Sequence, residues 1–150
     1  MKQQPPKLIA TFICLLLLAF VSINAQAQYA EKVVVNIPFQ FSVGGEQFPA
    51  GEYTVKPTSQ INSCFTIQSR RGRAATIVLA PITLQGNQRV NQARVVFHRY
   101  KNLYFLSQVW MPDSGSGNQV TMSGAERALR RELAGNNSSP QQITLLTRQR

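Results

Sequence analysis

Three observations predict a mainly β fold, either a small antiparallel β-sandwich or a partly closed β-barrel, with one C-terminal helix packed on or beside it. Apolar side chains recur at every second residue in several short runs, and Gly, Pro and Asn punctuate the gaps between them. One late stretch instead carries the residues that start and stop a helix.

The first residues read as an address. Lys2 and Lys7 precede the apolar run Leu8 to Val21, and Ala25-Gln26-Ala27 supplies the small-x-small pattern of a signal-peptidase site. We therefore expect a signal peptide over residues 1–27, cleavage after Ala27 and export to the periplasm or beyond the cell. The apolar run is shorter than the roughly 20 residues that span a bilayer, so no transmembrane anchor is expected. A lipoprotein would need a cysteine just behind that run, whereas Cys14 lies inside it. Residues 28–135 are then a single β-rich domain. Residues 136–150 are expected to form a polar C-terminal extension in which Ile143 to Thr147 is either a short final strand or a loosely attached tail.

Val33 to Val43 opens the domain. Its odd positions hold Val, Val, Ile, Phe, Phe and Val, so Phe39, Phe41 and Val43 are expected to face the core. Pro38 has no N–H to donate and marks an edge, a bulge or a break into two shorter strands. Gly44-Gly45 makes a turn, and Phe48 is an apolar anchor before Pro49-Ala50-Gly51 turns the chain again. Tyr53, Val55 and Pro57 define the next strand. Phe65 and Ile67 define another, ended by the basic turn Arg70-Arg71-Gly72-Arg73 and followed by a strand from Ala74 to Leu79. Pro81 diverts the chain, Ile82 to Leu84 extends the sheet briefly, and Gly86 to Gln92 is a polar loop.

The clearest pair is Ala93 to Tyr100 and Leu103 to Trp110, joined by Lys101-Asn102 as a two-residue hairpin in which Asn102 takes the left-handed backbone. Alternation puts Leu103, Phe105, Ser107 and Val109 on one face, and Tyr104, Leu106, Gln108 and Trp110 on the other. Both faces are apolar, so this strand needs cover on both sides. The helix can supply it: Ser123 is the N-cap, Glu126 its capping-box partner, Gly135 the stop, and Ala125, Leu129 and Leu133 an apolar stripe with Ala128 nearby. Met111 to Thr121 reads as a mobile Pro-, Gly- and Ser-rich connector.

Chemistry is sparse. Of the two cysteines, only Cys64 follows the cleavage site, so no disulfide can form within the mature chain, and its place beside Phe65 suggests a buried apolar thiol. His98 is the one histidine; it shares a strand face with Val96 and Tyr100 and reads as structural rather than catalytic or metal-bound. The acids are scattered, and a pair such as Glu52 with Asp113 gains no support from sequence for glycosidic chemistry. Phosphate-binding glycine patterns and metal-binding motifs are absent, and no cofactor is expected. The 16 Lys and Arg against 6 Asp and Glu, a formal +10, favour anionic partners. Arg70, Arg71, Arg73, Arg99 and Lys101 are the candidate anion-binding surface.

Two phrases carry a resemblance. Val35-Asn36-Ile37-Pro38-Phe39-Gln40-Phe41-Ser42-Val43 leads into Pro49-Ala50-Gly51-Glu52-Tyr53-Thr54-Val55, and Val96-Phe97-His98-Arg99-Tyr100 leads into Tyr104-Phe105-Leu106-Ser107-Gln108-Val109-Trp110. With Ala125-Glu126-Arg127, Leu129 and Glu132, these resemble small exported proteins of uncharacterised activity frequent in Acidobacteria. The resemblance covers about Val33 to Leu133. It implies export and a shared fold, and carries no catalytic residue onto this chain. Members tend to finish soon after the helix, and the tail from Asn136 departs from that habit.

The sequence thus leads to the expectation of a non-catalytic exported β domain with a structural or binding role at the cell envelope, toward envelope polysaccharide or another anionic polymer. Nucleic acid is the less favoured partner, and self-association remains open. The alternatives are a small cell-wall or polysaccharide hydrolase, or a subunit of an envelope protein complex.

Overall fold

A computed structural model describes residues 32–58, 63–72, 74–86, 92–112, 114–135 and 139–149. The expected signal peptide, Cys14, Arg73, Asp113 and most of the Gly86 to Gln92 loop lie outside the described residues.

The first six strands are β1 (Val33–Ile37), β2 (Phe41–Val43), β3 (Glu46–Phe48), β4 (Gly51–Pro57), β5 (Cys64–Ser69) and β6 (Ala75–Leu79). β7 (Ile82–Gln85), β8 (Arg94–Tyr100), β9 (Leu103–Trp110) and β10 (Ser116–Gln119) precede helix α1 (Gly124–Ala134), and β11 (Gln141–Leu146) and β12 (Arg148–Gln149) follow it. They form two packed sheets, a sandwich rather than a closed barrel. The 5-stranded sheet has the order β12-β1-β4-β5-β6. The 7-stranded sheet has the order β11-β8-β9-β10-β7, with the β2–β3 hairpin attached through a parallel pairing of Ser42 with Phe105.

Period-2 burial builds the core. Val33, Val35 and Ile37 from β1, Tyr53 and Val55 from β4, and Phe65 and Ile67 from β5 face Val95 and Phe97 from β8 and Leu106 and Val109 from β9. Phe41 sits between the sheets, its ring centroid 5.1 Å from that of Tyr53 and 5.5 Å from that of Phe97. Phe41 and Val43 are buried as expected, and Phe39 is half-buried against the core.

Pro38 does more than interrupt a strand. β1 pairs with β4 in one sheet while β2 pairs with β3 and β9 in the other, so the run Val33 to Val43 crosses the sandwich at Pro38. Its alternation survives because both halves line the same core from opposite sides. Two further crossings stitch the edges. Between β6 and β7 the chain changes sheet at buried Ala80 and exposed Pro81, and the Thr121 N–H donates to the Leu79 carbonyl at 2.9 Å. Between β11 and β12 it changes sheet at Thr147, whose N–H and Oγ1 both donate to the Ala93 carbonyl at 2.9 Å.

The structure corrects several expectations. The connector Met111 to Thr121 contains β10, which pairs with both β7 and β9; Gly117 takes part because a Cβ there would overlap the Trp110 indole. The tail holds two strands, pairing with β8 and β1, where one short strand was expected. The left-handed residue of the β8–β9 turn is Lys101, at φ 56°, not Asn102. Cys64 is half-buried because Phe65 and Ile67 take the inward positions of β5. Ala125 and Ala128 are exposed, and the helix turns Glu126, Leu129 and Leu133 toward the sheet instead.

A bulge causes the remaining difference. Val96 pairs with Gln108 and Phe97 with Leu106, leaving Ser107 as the extra residue of β9. One additional residue reverses the alternation beyond it. Tyr104 and Leu106 therefore join Val109 at the core, while Phe105 and Ser107 turn toward the outer face that α1 covers.

Candidate functional site

Two groups of side chains carry chemistry, and the sequence identifies one of them in advance. The first is the basic surface. Arg70 and Arg71 occupy the β5–β6 turn, where Gly72 at φ 68° allows the tight reversal. They line a depression of about 650 Å³ with Pro49, Gly51, Glu52 and Ser69. Arg70 Nη1 pairs with Glu52 Oε1, so that carboxylate offsets part of the tip's charge. Arg71 is exposed.

Arg99 and Lys101 belong to the β8–β9 turn and line a separate depression with Ser139 and Gln141. Arg99 Nε donates to the Lys101 carbonyl at 2.8 Å, and its guanidinium lies 5.6 Å from the Tyr104 ring centroid. Tyr104 is in turn stacked on Phe39 at 3.9 Å. These contacts hold Arg99 in a fixed attitude, while Lys101 projects from the tip.

The two tips do not share a pocket, but they emerge at the same end of the sandwich. Ile37, the last residue of β1, opposes Gly51, and Tyr53 opposes Ser69, so the Arg70-Arg71 turn lies at the end where the chain crosses at Pro38. Two residues beyond Ile37, Phe39 stacks on Tyr104 beside the Lys101-Asn102 turn.

The second group is a polar chain between β8, β9 and α1. Ser107 Oγ lies 3.0 Å from His98 Nε2, and His98 Nδ1 lies 2.9 Å from Glu126 Oε1. The Tyr100 hydroxyl donates to the same Oε1 at 3.4 Å. A carboxylate only accepts, so the proton of the His98–Glu126 bond belongs to Nδ1, and in the neutral ring Nε2 accepts from the Ser107 hydroxyl. Burial, reinforced by the charge of Glu126, raises the Tyr100 hydroxyl above its usual 10.0, although Arg130 pulls the other way. Ser123 Oγ accepts from the Glu126 N–H at 3.1 Å, forming the cap, but the Glu126 carboxylate reaches the sheet rather than completing the expected capping box.

Serine, histidine and carboxylate stand here in the order of a nucleophile, its base and the group that orients the base. Their surroundings are closed. Ser107 and Glu126 are 4% and 3% exposed, and α1 roofs the chain. Glu126 sits on that roof, so lifting α1 separates the acid from His98. The chain ties the helix to the sheet.

Sequence reasoning placed His98 on this strand face as a structural residue but missed its partners. One signal for Glu126 was available: at helical spacing it shares a face with Leu129 and Leu133. Ser107 had no such signal, because its position depends on the bulge. No protein-family model, curated protein or solved structure matches the chain.

Proposed function

We propose that this chain is an exported, non-catalytic β domain that binds an anionic polysaccharide of the cell envelope through the end of the sandwich carrying both basic turns. One observation carries the reading: Arg70, Arg71, Arg99 and Lys101 project at that common end, and Glu52 is the carboxylate paired among them. Of the other carboxylates among the described residues, Glu126 is buried against His98, which leaves Glu46 and Glu132 exposed. A surface so weakly compensated attracts polyanions by a screened, long-range force, and affinity falls steeply with salt as counterions are released.

The test is retention of the mature protein on an acidic polysaccharide column across a salt gradient. Wild type should elute later than the Arg71→Ala/Lys101→Ala double variant, whereas Lys56→Ala should elute close to wild type because Lys56 lies away from those turns within β4. Equal elution of all three refutes the surface assignment. Retention on double-stranded DNA alone transfers the reading to nucleic acid.

The Ser107, His98 and Glu126 geometry favours a second reading, a small hydrolase acting on ester or amide bonds of cell-wall polymers. A serine-directed fluorophosphonate that labels wild type but not Ser107→Ala would support it. Absence of labelling leaves the binding domain.

A further inference from the structure

We propose that α1 is a hinged cap, latched to the 7-stranded sheet by the Glu126 carboxylate and able to open as a unit while the sandwich stays folded. This goes beyond polymer binding and does not depend on it. The main core contains no residue of α1: its buried members come from the strands and the short segments joining them. The helix meets the sheet in a small satellite cluster of Tyr100, Phe105 and Leu133, with Leu129 half-buried beside it. Apart from Glu126 and Leu133 the helix buries no side chain. So thin an apolar contact gives a helix of this length little intrinsic hold.

Glu126 supplies the rest. Its carboxylate has left water to accept from His98 and Tyr100, and both bonds are lost together when the helix lifts. Once free, the carboxylate is rehydrated and stays attached to its own N-terminal turn, where Ser123 and the helix dipole tolerate it. The open state therefore strands no charge in an apolar site. His98 and Ser107 remain bonded to each other on neighbouring strands.

The structure also supplies a hinge. Val120 is anchored, with its side chain in the core and its N–H donating to the Ser107 carbonyl at 2.8 Å. Ser123 already belongs to the helix cap. At this end rotation falls at Thr121, past its N–H bond to the Leu79 carbonyl, and at Met122, which are exposed and half-buried, while the other end of α1 leads to β11, which stays paired with β8. Opening uncovers Tyr100 and Phe105, an aromatic pair 5.8 Å apart beside the basic β8–β9 turn.

Hydrogen exchange of the full-length mature protein, read by mass spectrometry at native pH, tests this. In wild type the amides of 124–134 should exchange through an opening that is insensitive to low urea and faster than that of β4 and β5. Glu126→Ala should accelerate the helix amides about 10- to 100-fold, the loss of a hydrogen bond to a charged group, with β4 and β5 unchanged. Glu126→Gln, which keeps the shape without the charge, should fall between. Three results overturn the proposal: helix and sandwich amides exchanging in one cooperative step, a helix rate unmoved by Glu126→Ala, or global unfolding of that variant. The last would place α1 inside the cooperative unit of the sandwich.

Discussion

Gly117→Ala is a single-methyl perturbation whose outcome depends on one contact. The added Cβ would stand closer to three atoms of the Trp110 indole than real Cβ atoms approach, so either the ring moves or β10 separates from β9. Trp110 is 5% exposed, with the Arg94 guanidinium 4.4 Å from its ring centroid and its Nε1–H donating to Gln108 at 2.9 Å. Two effects oppose. Replacing Gly by Ala restricts the unfolded chain and stabilises by about 0.4–1 kcal/mol where the native backbone suits it. Overpacking costs about 1–3 kcal/mol, and displacing the ring also loses a cation–π contact and a hydrogen bond, about 1 kcal/mol each. The net expectation is destabilisation by about 2–4 kcal/mol. Trp110 is the single tryptophan, so its fluorescence reports both effects during urea unfolding. The variant should show a lower midpoint and a red-shifted native emission. In a Trp110→Leu background, followed by circular dichroism because the fluorophore is gone, the same substitution should cost less than about 1 kcal/mol, since the clash is gone. An emission maximum and midpoint matching wild type would refute the packing argument.

Other expectations follow from the same structure. Phe41→Ala removes a ring that touches Phe48, Tyr53 and Phe97, and should cost about 3–5 kcal/mol in urea unfolding. Lys101→Asn places a residue that tolerates the left-handed region at φ 56° and should stabilise by roughly 0.5 kcal/mol, read as a higher thermal midpoint. Tyr100 titrates above its ordinary value in the folded protein, so above pH 10 the unfolded chain binds fewer protons and stability falls as pH rises; below that pH its contribution is complete. Tyr100→Phe should flatten this alkaline decline without abolishing it, because burial also raises Tyr53; urea midpoints between pH 8 and about 11.5 measure the slope.

Most strands were legible because each buries one face, and period-2 alternation is a local property that needs no knowledge of partners. β5 shows this well: Phe65 and Ile67 are inward in the sequence pattern and in the structure. β10 was illegible for the opposite reason. Ser116, Gly117, Asn118 and Gln119 offer no apolar alternation, and the strand exists because β7 and β9 present backbone groups on both sides of it. Sheet membership was equally hidden. The odd residues of Val33 to Val43 are all apolar, yet they belong to two sheets, since a crossing between walls of one core preserves which side chains face inward.

The two chemical groups divide along the same line. A basic turn announces itself, because Arg70-Arg71 and Arg99 with Lys101 sit where the hairpins must reverse, and turns reach solvent whatever the rest of the fold does. Only their common end required the structure, through Phe39 meeting Tyr104. The buried chain depends on three placements that no window of sequence contains: the pairing of β8 with β9, one extra residue at Ser107, and the rotation of α1 that turns Glu126 inward. Removing the bulge residue would test this dependence directly. Deleting Ser107 leaves Phe97 opposite Leu106, Val96 opposite Gln108 and Val95 opposite Val109, so Leu106 and Val109 stay at the core while the hydroxyl is taken from His98. The expected result is a cost larger than that of Ser107→Ala by about one further hydrogen bond, that of the Val120 N–H to the Ser107 carbonyl, each bond being worth about 1 kcal/mol. A deletion far more destabilising than that would mean that the bulge shapes β9 beyond placing Ser107 beside His98, and an Nδ1 of His98 still bonded to Glu126 in the deletion variant would mean that the helix docks without it.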